Sequence, residues 1–486
     1  GVWLIWACPY YPPINCSMSG GKAPHNSSRT CFTSFNALRP KAVTSKKRLR
    51  RPPRSAVAPP IFEDKNHVYN AADTAWILIA TALVFLMTPG LAFFYGGMVH
   101  RKNVISTMIK SIVAAGVVSI SWIVVGYSLV FGKSLGGFIG NPASHFFFQH
   151  VFSGEPWSLA PTIPLSLFAM FQLMFAIITP GLVVGAVAER IKFTSYVLFI
   201  LLFSVFVYAP LAHWTWNPEG FLFQWGVLDF AGGTVVHISA GCAALAGAIV
   251  LKQRIAHQEQ IEIPPANIPY VLIGTGLLWF GWFGFNAGSA LAANGLAVSA
   301  FATTNTAAAA AGLSWMFFDA MRGKKPSVLG FCIGAVVGLV AITPSAGYVA
   351  LPQSVFIGFI AAIISNLAVY YKQKSRLDDT LDVFPCHGLG GIAGMLMTGI
   401  FATKTVNPTG NDGLFYGNTD FFFTQLKALL IVVGYSFSVS YLIFRFINFI
   451  LPLRVSIHEE KIGLDATQHD ENYLQGLMPE LHVENV

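Results

Sequence analysis

Charge is what this sequence lacks: Asp, Glu, Lys and Arg together make up 11% of its 486 residues. A soluble domain carries roughly 25%. So thin a supply cannot build a water-facing surface, which excludes an ordinary soluble enzyme or binding module and makes lipid the solvent for most of the chain. Cysteine is also scarce, with six residues. Cys8, Cys16 and Cys31 precede the apolar part, and Cys242, Cys332 and Cys386 stand singly in apolar runs. No CxxC pair or Cys/His ligand spacing occurs, so a metal site is unsupported. The last three read as buried apolar thiols.

The formal net charge of +8 is unevenly placed. Residues 1–70 carry 11 Lys/Arg against 2 Asp/Glu, and the rest carries 19 against 20. The basic character therefore belongs to a leader and not to the apolar body, and a nucleic-acid partner is not implied. The leader has no acidic residue before Glu63, is rich in Ser and Pro, and contains the run Lys46-Lys47-Arg48-Leu49-Arg50-Arg51. This composition resembles an organellar transit peptide; a disordered tail or an extended gene start is the plainer alternative. Either way residues 1–70 are set apart, leaving a membrane body over 71–450 and a tail over 451–486.

Long apolar runs are what the sequence has in abundance. About 20 apolar residues, rising about 1.5 Å each, cross a bilayer. Eleven runs qualify, near 72–97, 103–131, 163–188, 193–214, 231–251, 268–289, 296–320, 327–347, 353–371, 383–402 and 421–449. They are too long for barrel strands and do not alternate with period two. The expected fold is an all-α polytopic membrane protein with eleven transmembrane helices. Gly330, Gly334 and Gly338 recur every four positions, as small residues do where helices approach closely in lipid.

Basic residues in the short connections set the orientation. One set of connections holds Arg101/Lys102, Arg190/Lys192, Lys252/Arg254, Arg322/Lys324/Lys325 and Lys372/Lys374/Arg376, whereas the alternate set holds only Lys133 and Lys404. The first set is thereby placed in the cytoplasm, the start of the first helix outside and the tail inside. A plasma or inner membrane is expected, with an organellar membrane left open by the leader. Five spans precede the loop at 252–267 and five more precede the last span. An odd repeat length inverts the second set, giving a five-plus-five inverted repeat and a final helix.

Ionisable groups inside a bilayer are costly and tend to be functional. His237 and His387 each lie in the fifth helix of a repeat. A lone core histidine is more often structural; two at matching places raise the functional reading to an even balance. Two imidazoles in contact are able to share a proton through an apolar pore. Phe171 and Phe175 are four apart on one helix face, as are Phe285 and Ser289, and Trp216 follows the fourth span. Singly these aromatics read as packing or interfacial belt. Together they suit a cation–π cup with a hydroxyl acceptor. Asp229, just before the fifth helix, reads first as a helix cap and second as negative potential for a cation.

These residues resemble the ammonium transporter family (Amt/MEP/Rh). The motifs that carry the resemblance are Asp229-Phe-Ala-Gly-Gly-Thr-Val-Val-His237, Gly281-Trp-Phe-Gly-Phe-Asn-Ala-Gly-Ser289, Thr343-Pro-Ser-Ala-Gly-Tyr348 and Asp382-Val-Phe-Pro-Cys-His387-Gly, with Phe94-Tyr-Gly-Gly97 and Ala188-Glu-Arg190. The match covers about residues 70–475 and omits the leader. The resemblance implies a homotrimer with one pore per subunit and no cofactor. It implies that Trp216, Ser289 and Phe171 recruit ammonium, that Phe175 and Phe285 form a stacked gate, that His237 and His387 line the pore, and that Asp229 supports the recruitment site. The Trp216–Ser289 pair favours the Amt-type branch. The segment Glu459-Glu-Lys-Ile-Gly463-Leu-Asp465-Ala-Thr467-Gln-His469-Asp470 resembles the family's cytosolic regulatory tail, with Asp470 where the pattern usually has Gly. Thr467 falls where plant-type members carry a phosphorylatable Thr; a bacterial member would instead suggest a PII-type signalling partner.

The expected function is ammonium transport, in which the ion is deprotonated at the outer site and ammonia is conducted with its proton. An Rh-like electroneutral ammonia channel and an ammonium sensor signalling through its tail are the alternatives. An intramembrane enzyme is the weakest reading, because no nucleophile–base pair or HExxH-type motif appears.

Overall fold

The structure is a computed structural model that describes residues 69–473. The leader, apart from its last two residues, and the tail beyond 473 lie outside the described residues. Among the described residues ten helices are long and apolar enough to cross a membrane: α1 (Ala71–Met98), α2 (Arg101–Phe131), α3 (Leu165–Val187), α4 (Phe193–Gln224), α5 (Gly233–Leu251), α6 (Ile268–Ala290), α7 (Gly295–Met321), α9 (Leu351–Gln373), α10 (Phe384–Phe401) and α11 (Thr419–Ile450). The shorter apolar helix α8 (Val328–Ile342) completes the expected eleven. A small hairpin of β1 (Ser134–Leu135) and β2 (Ile139–Gly140) follows α2.

Helix α8 differs from its expected extent of 327–347. Its 15 residues rise about 22 Å, less than a hydrocarbon core of about 30 Å. Pro344 cannot continue the helix and the chain turns there. The short helix is tolerated because it is buried in protein. Its glycines lie against α7, where a Cβ on Gly338 would meet the Ala307 carbonyl oxygen at 2.4 Å and one on Gly334 the Trp315 Cβ at 2.6 Å.

Local signals set the helix starts. Asn70 Oδ1 accepts from the N–H groups of Ala72 and Asp73, and Asn267, Asn294, Ser327 and Asn418 cap α6, α7, α8 and α11 with their side chains. The outer faces carry large exposed apolar side chains such as Ile79, Ile120, Phe206, Phe280 and Phe449. Water would penalise such a surface and lipid does not. The buried core centres on α3 and α5, which are covered on nearly all sides.

The packing repeats with inversion. Helix α2 lies against α3 and α4 as α7 lies against α8 and α9, α1 crosses α6, and α5 meets α10. Phe230 N–H donates to the Pro344 carbonyl just beyond α8, and Leu381 N–H donates to the Gly185 carbonyl near the end of α3. The starts of α5 and α10 are therefore each tied to the far end of the third helix of the other repeat. The two helices run in opposite directions, with Gly388 of α10 against Gly241 and Gly391 against Ile238 and Gly233 of the α5 turn.

Candidate functional site

The meeting point of α5 and α10 is built from glycine. A Cβ on Gly241 would fall 2.3 Å from the Gly388 Cα, so only hydrogen at position 241 lets the backbones touch. This contact brings the two histidines together: His237 Nδ1 faces His387 Nδ1 at 3.4 Å. At that separation one ring donates and the other accepts. Both lie on π-helical turns, Gly233–Ile238 and Phe384–Leu389, and Phe285 lies on a third, Phe283–Ala287. The wider turn is visible in the bond from His237 N–H to the Gly232 carbonyl, five residues back, at 3.2 Å. Such turns rotate a side chain away from the regular helical position and gather at functional sites.

Each turn has a carboxylate at its head. Asp229 Oδ1 accepts from the N–H groups of Gly232 at 2.9 Å and Gly233 at 2.6 Å, and Oδ2 from Thr234 N–H at 2.8 Å and from the Thr234 hydroxyl. These bonds form the helix cap expected of Asp229. Gly232 enters the turn at φ +112°, where a side chain is strained, and a Cβ there would crowd Val236. Asp379 does the same at the other end, accepting from Val383 N–H at 3.0 Å and Phe384 N–H at 2.7 Å. Sequence reasoning passed over Asp379 because the motif was read from Asp382. The signal was present: Asp379 precedes His387 by eight residues, as Asp229 precedes His237.

Above His237 the rings form a column. His237 stacks on Trp282 with centroids 5.2 Å apart and on Phe285 at 5.9 Å. Trp282 was unassigned in the sequence. Its Nε1–H donates to the Thr343 hydroxyl at 2.9 Å, which fixes the indole against the imidazole. Phe285 meets Phe175 at 4.4 Å, and the rings are tilted by 39° rather than stacked flat. Phe175 meets Phe171 at 5.0 Å and Trp216 at 5.8 Å, both edge to face.

An open cavity of about 480 Å³ lies over this column, and Phe171, Phe175, Trp216, Asp229 and Ser289 line it. The structure therefore places Phe171, Phe175, Trp216 and Ser289 of the expected cup around one cavity, while Phe285 lines the smaller cavity below. Trp216 Nε1–H is engaged by the Asp229 carbonyl at 3.2 Å, so the indole offers its ring. The Ser289 hydroxyl donates to the Phe285 carbonyl at 2.8 Å, which leaves its oxygen lone pairs to accept. Beneath the Phe175–Phe285 pair, both histidines share an enclosed cavity of about 10 Å³ with Leu91, Phe94, Ile178, Leu182, Val336 and other apolar side chains. That volume accommodates about one water-sized centre. His237 Nε2 is buried there without a protein partner.

The opposite end is charged. Arg254 pairs with Glu189 at 2.5 Å and with Asp378 at 2.8 Å, Arg190 Nη2 donates to the Asp378 carbonyl at 2.5 Å, and Lys372 pairs with Asp382 at 2.7 Å. Burial alone would raise the carboxyls of Glu189 and Asp378. The Arg254 guanidinium beside Glu189, and Arg190 with Arg254 beside Asp378, hold both below the usual range. Asp379 goes the other way: burial pushes it up to about 6 against the pull of Lys372.

The tail docks at this charged end. Helix α12 (Ile457–Ile462) and helix α13 (Leu464–His469) lie beside the start of α2, where Asp465 accepts from Ile105 N–H at 3.1 Å and Ser106 N–H at 2.8 Å. Gly463 turns between them at φ +118°, so close to Lys102 that a Cβ would sit 2.6 Å from it. The Thr467 hydroxyl donates to the Gly463 carbonyl at 2.7 Å. Asp470, the departure from the expected glycine, stands at φ +55°, a left-handed position that glycine takes freely and Asp tolerates.

Comparison with known proteins agrees with this architecture. The model of the Ammonium Transporter Family matches residues 75–473. The chain is 47% identical over 405 residues to a putative ammonium transporter of Methanothermobacter thermautotrophicus, covering 83% of this chain and 98% of that one. It is 45% identical over 412 residues to an ammonium transporter of Bacillus subtilis, covering 84% and 99%. Among solved structures, Saccharomyces cerevisiae Mep2 superposes with a TM-score of 0.76 at 35% identity over 81% of this chain and 89% of that one. A protein described as a sensor Amt protein superposes with a TM-score of 0.74 at 31% identity over 82% and 98%.

Proposed function

This multi-pass membrane protein belongs to the ammonium transporter family, and from that premise we propose that it recruits ammonium at the aromatic mouth, deprotonates it there and conducts ammonia, with its proton, past His237 and His387. The observation that carries the reading is the sequence of environments along one line: an open cup of rings with a hydroxyl acceptor, a closed ring pair, then an apolar cavity with two imidazoles in contact.

Each environment suits one step. Trp216 and Phe171 present π faces that attract a cation, and Ser289 accepts one of its N–H groups. Potassium has the same charge and no N–H, so directional acceptors favour ammonium over it. Phe175 and Phe285 close the path below. An intact ion entering the apolar cavity would face an idealised desolvation cost of order 20 kcal/mol, much reduced by relaxation. Loss of a proton before entry avoids most of that cost. The two imidazoles then offer a route for the proton and polar contacts for ammonia. Asp229 shapes the mouth through its cap and adds negative potential there.

The aromatic mouth is assigned to the outside and the tail to the cytoplasm, on the distribution of basic residues in the connections. A homotrimer with one pore per subunit is part of the reading, as is a tail in which Gly463, Asp465 and Thr467 receive regulation, by phosphorylation or from a PII-type protein. An Rh-like electroneutral channel would use the same histidines. A sensor role is a second reading, favoured by the docked tail and by the likeness to the sensor Amt protein.

Purified protein in liposomes provides the test, with ammonia flux and ammonium-evoked current recorded together. Flux with current is expected. Flux without current would replace the electrogenic mechanism with the electroneutral one, and binding without flux would replace transport with sensing.

A further inference from the structure

One acceptor ties two walls of the aromatic mouth together. The Val130 carbonyl, near the end of α2, takes hydrogen bonds from His213 Nδ1 at 2.7 Å and from Asn217 Nδ2 at 3.1 Å. A carbonyl offers lone pairs and no hydrogen, so Nδ1 carries the imidazole proton. His213 Nε2 meets the Ser134 hydroxyl at 2.8 Å, and Ser134 N–H donates to Glu219 at 2.7 Å. Asn217 N–H donates to the His213 carbonyl at 3.2 Å and closes the helical turn 213–217. That turn is held once through its backbone and twice through side chains on one carbonyl, and Trp216 lies inside it. The Trp216 indole bond to the Asp229 carbonyl then sets the swing of the ring. On the other side of the acceptor, Phe131 follows Val130. It lines the same cavity and packs edge-on against Trp157 at 5.2 Å and Phe168 at 4.9 Å.

We propose that His213 is a positioning residue of the ammonium site: through the Val130 carbonyl it sets where Trp216 stands beside Phe175. The inference rests on the proposed recruitment of ammonium at the aromatic mouth and adds to it a residue outside the Trp216–Phe171–Ser289 set. His213 is fully buried and acts through the helix rather than on the cation. A cation is attracted by a ring face within about 6 Å of its centroid, so a small displacement of one ring costs affinity. A ring on the last turn of a helix moves with that turn, and terminal turns have backbone groups that the helix itself leaves unpaired. A buried imidazole with both nitrogens engaged, one on the end of α2 and one on the hairpin that follows it, holds both the height and the rotation of the turn. Asn217 shares the acceptor but stands after Trp216, where the backbone has become extended. His213 is therefore the arm of the fork that lies within the helix.

Three substitutions in the full-length protein separate positioning from packing. His213→Asn keeps an N–H near the Nδ1 position, within reach of Val130, and gives up Ser134. His213→Gln places its amide near the Nε2 position and gives up Val130. His213→Ala gives up both. For each, the ammonium concentration for half-maximal thermal stabilisation in detergent is read beside the KM and maximal rate of ammonium flux in liposomes. His213→Ala and His213→Gln are expected to raise both concentrations by about threefold to tenfold, with a smaller change in maximal rate. His213→Asn is expected to lie within about twofold of the wild type. Made on a Trp216→Leu background, His213→Ala and His213→Gln should add no further loss, because their effect runs through that ring. Unchanged concentrations in His213→Ala and His213→Gln would overturn the proposal. So would an equal rise in His213→Asn, or losses that add in full to that of Trp216→Leu, each of which marks a general effect on packing. If His213→Ala does not fold, the Asn and Gln variants and the cycle of His213→Gln with Trp216→Leu decide. If the wild type binds ammonium without conducting it, the transport reading fails and the thermal readout still decides the positioning role. If the wild type neither binds nor conducts, both are overturned.

Discussion

Asp229 and Asp379 stand eight residues ahead of His237 and His387, at opposite ends of the molecule, and hold their turns in different ways. Asp229 gives its carboxylate to three backbone N–H groups and a hydroxyl, next to a glycine at φ +112°. Asp379 takes two N–H groups and stands among Lys372, Asp382 and the Asp378–Arg254 pair, with its carboxyl raised to about 6. One repeat has made its cap a fixed fitting beside the aromatic cup. The other has placed the equivalent carboxylate in a charged region next to the docked tail. The inverted repeat thus supplies a scaffold for each histidine, with an aromatic cavity at one end and buried ion pairs at the other.

The largest difference between the two ends is expected from removing the caps. Asp229→Ala strands three N–H groups and a hydroxyl and should cost about 3 kcal/mol of stability together with most transport, by the usual worth of charge-assisted bonds. Asp379→Ala should cost less, about 1–2 kcal/mol. Thermal melts of the two variants side by side decide this, and equal losses would remove the asymmetry.

Glycine at the crossing gives the next largest contrast. A Cβ on Gly241 meets backbone at 2.3 Å, whereas one on Gly391 first meets the Ile238 Cγ1 at 2.9 Å, a side-chain atom. Gly241→Ala should therefore cost about 1–3 kcal/mol through forced separation of α5 and α10. Gly391→Ala should cost less, because a side chain yields more easily than backbone. Flux should fall with Gly241→Ala, since the imidazole contact depends on the crossing.

A smaller effect concerns pH. Asp379 has a native pKa near 6, above the usual carboxylate value, so its protonated form is favoured by the fold. Its stabilising contribution is present at low pH and is lost as pH rises through about 6. In function the ionised form is the better cap. Lowering the tail-side pH from about 7.5 to about 5.5 should cut flux to about a quarter, as the ionised fraction falls, and Asp379→Asn should flatten that step. Acidification at the aromatic mouth offers a comparison in which Asp379 takes no part. The smallest change is expected in the tail: Asp465→Asn weakens the cap on α2 and should cost about 1 kcal/mol, read as a small fall in melting temperature.

Much of this was legible in the sequence, for identifiable reasons. Length and hydropathy show the spans, and the positions of His237 and His387 show the repeat. The motifs around Asp229 and Ser289 point to the cup, of whose rings Phe171, Phe175 and Trp216 share one cavity and Phe285 lines the one below. The short α8 was overestimated because the apolar run continues past Pro344 while the helix cannot. The π-helical turns, which also occur in α2 (Trp122–Gly126) and α4 (Ser204–Tyr208), carry no compositional signal. Asp379 was hidden by its nearness to Asp378 and Asp382, which look equivalent in one dimension and have different partners in three. The convergence of His213 and Asn217 on the Val130 carbonyl is a property of the folded chain alone. The left-handed backbone of Asp470 accounts for the glycine usual at that place in the resembling tails.

In the proposed mechanism His237 and His387 carry the proton separately from ammonia. Charge moved per ammonium transported, measured from current and flux in the same liposomes, tests it most directly in the wild type and in the His237→Ala, His387→Ala double variant. Coupled charge is expected in the wild type, and a fall in the ratio in the double variant. An unchanged ratio in the double variant, with flux still measurable, would contradict it.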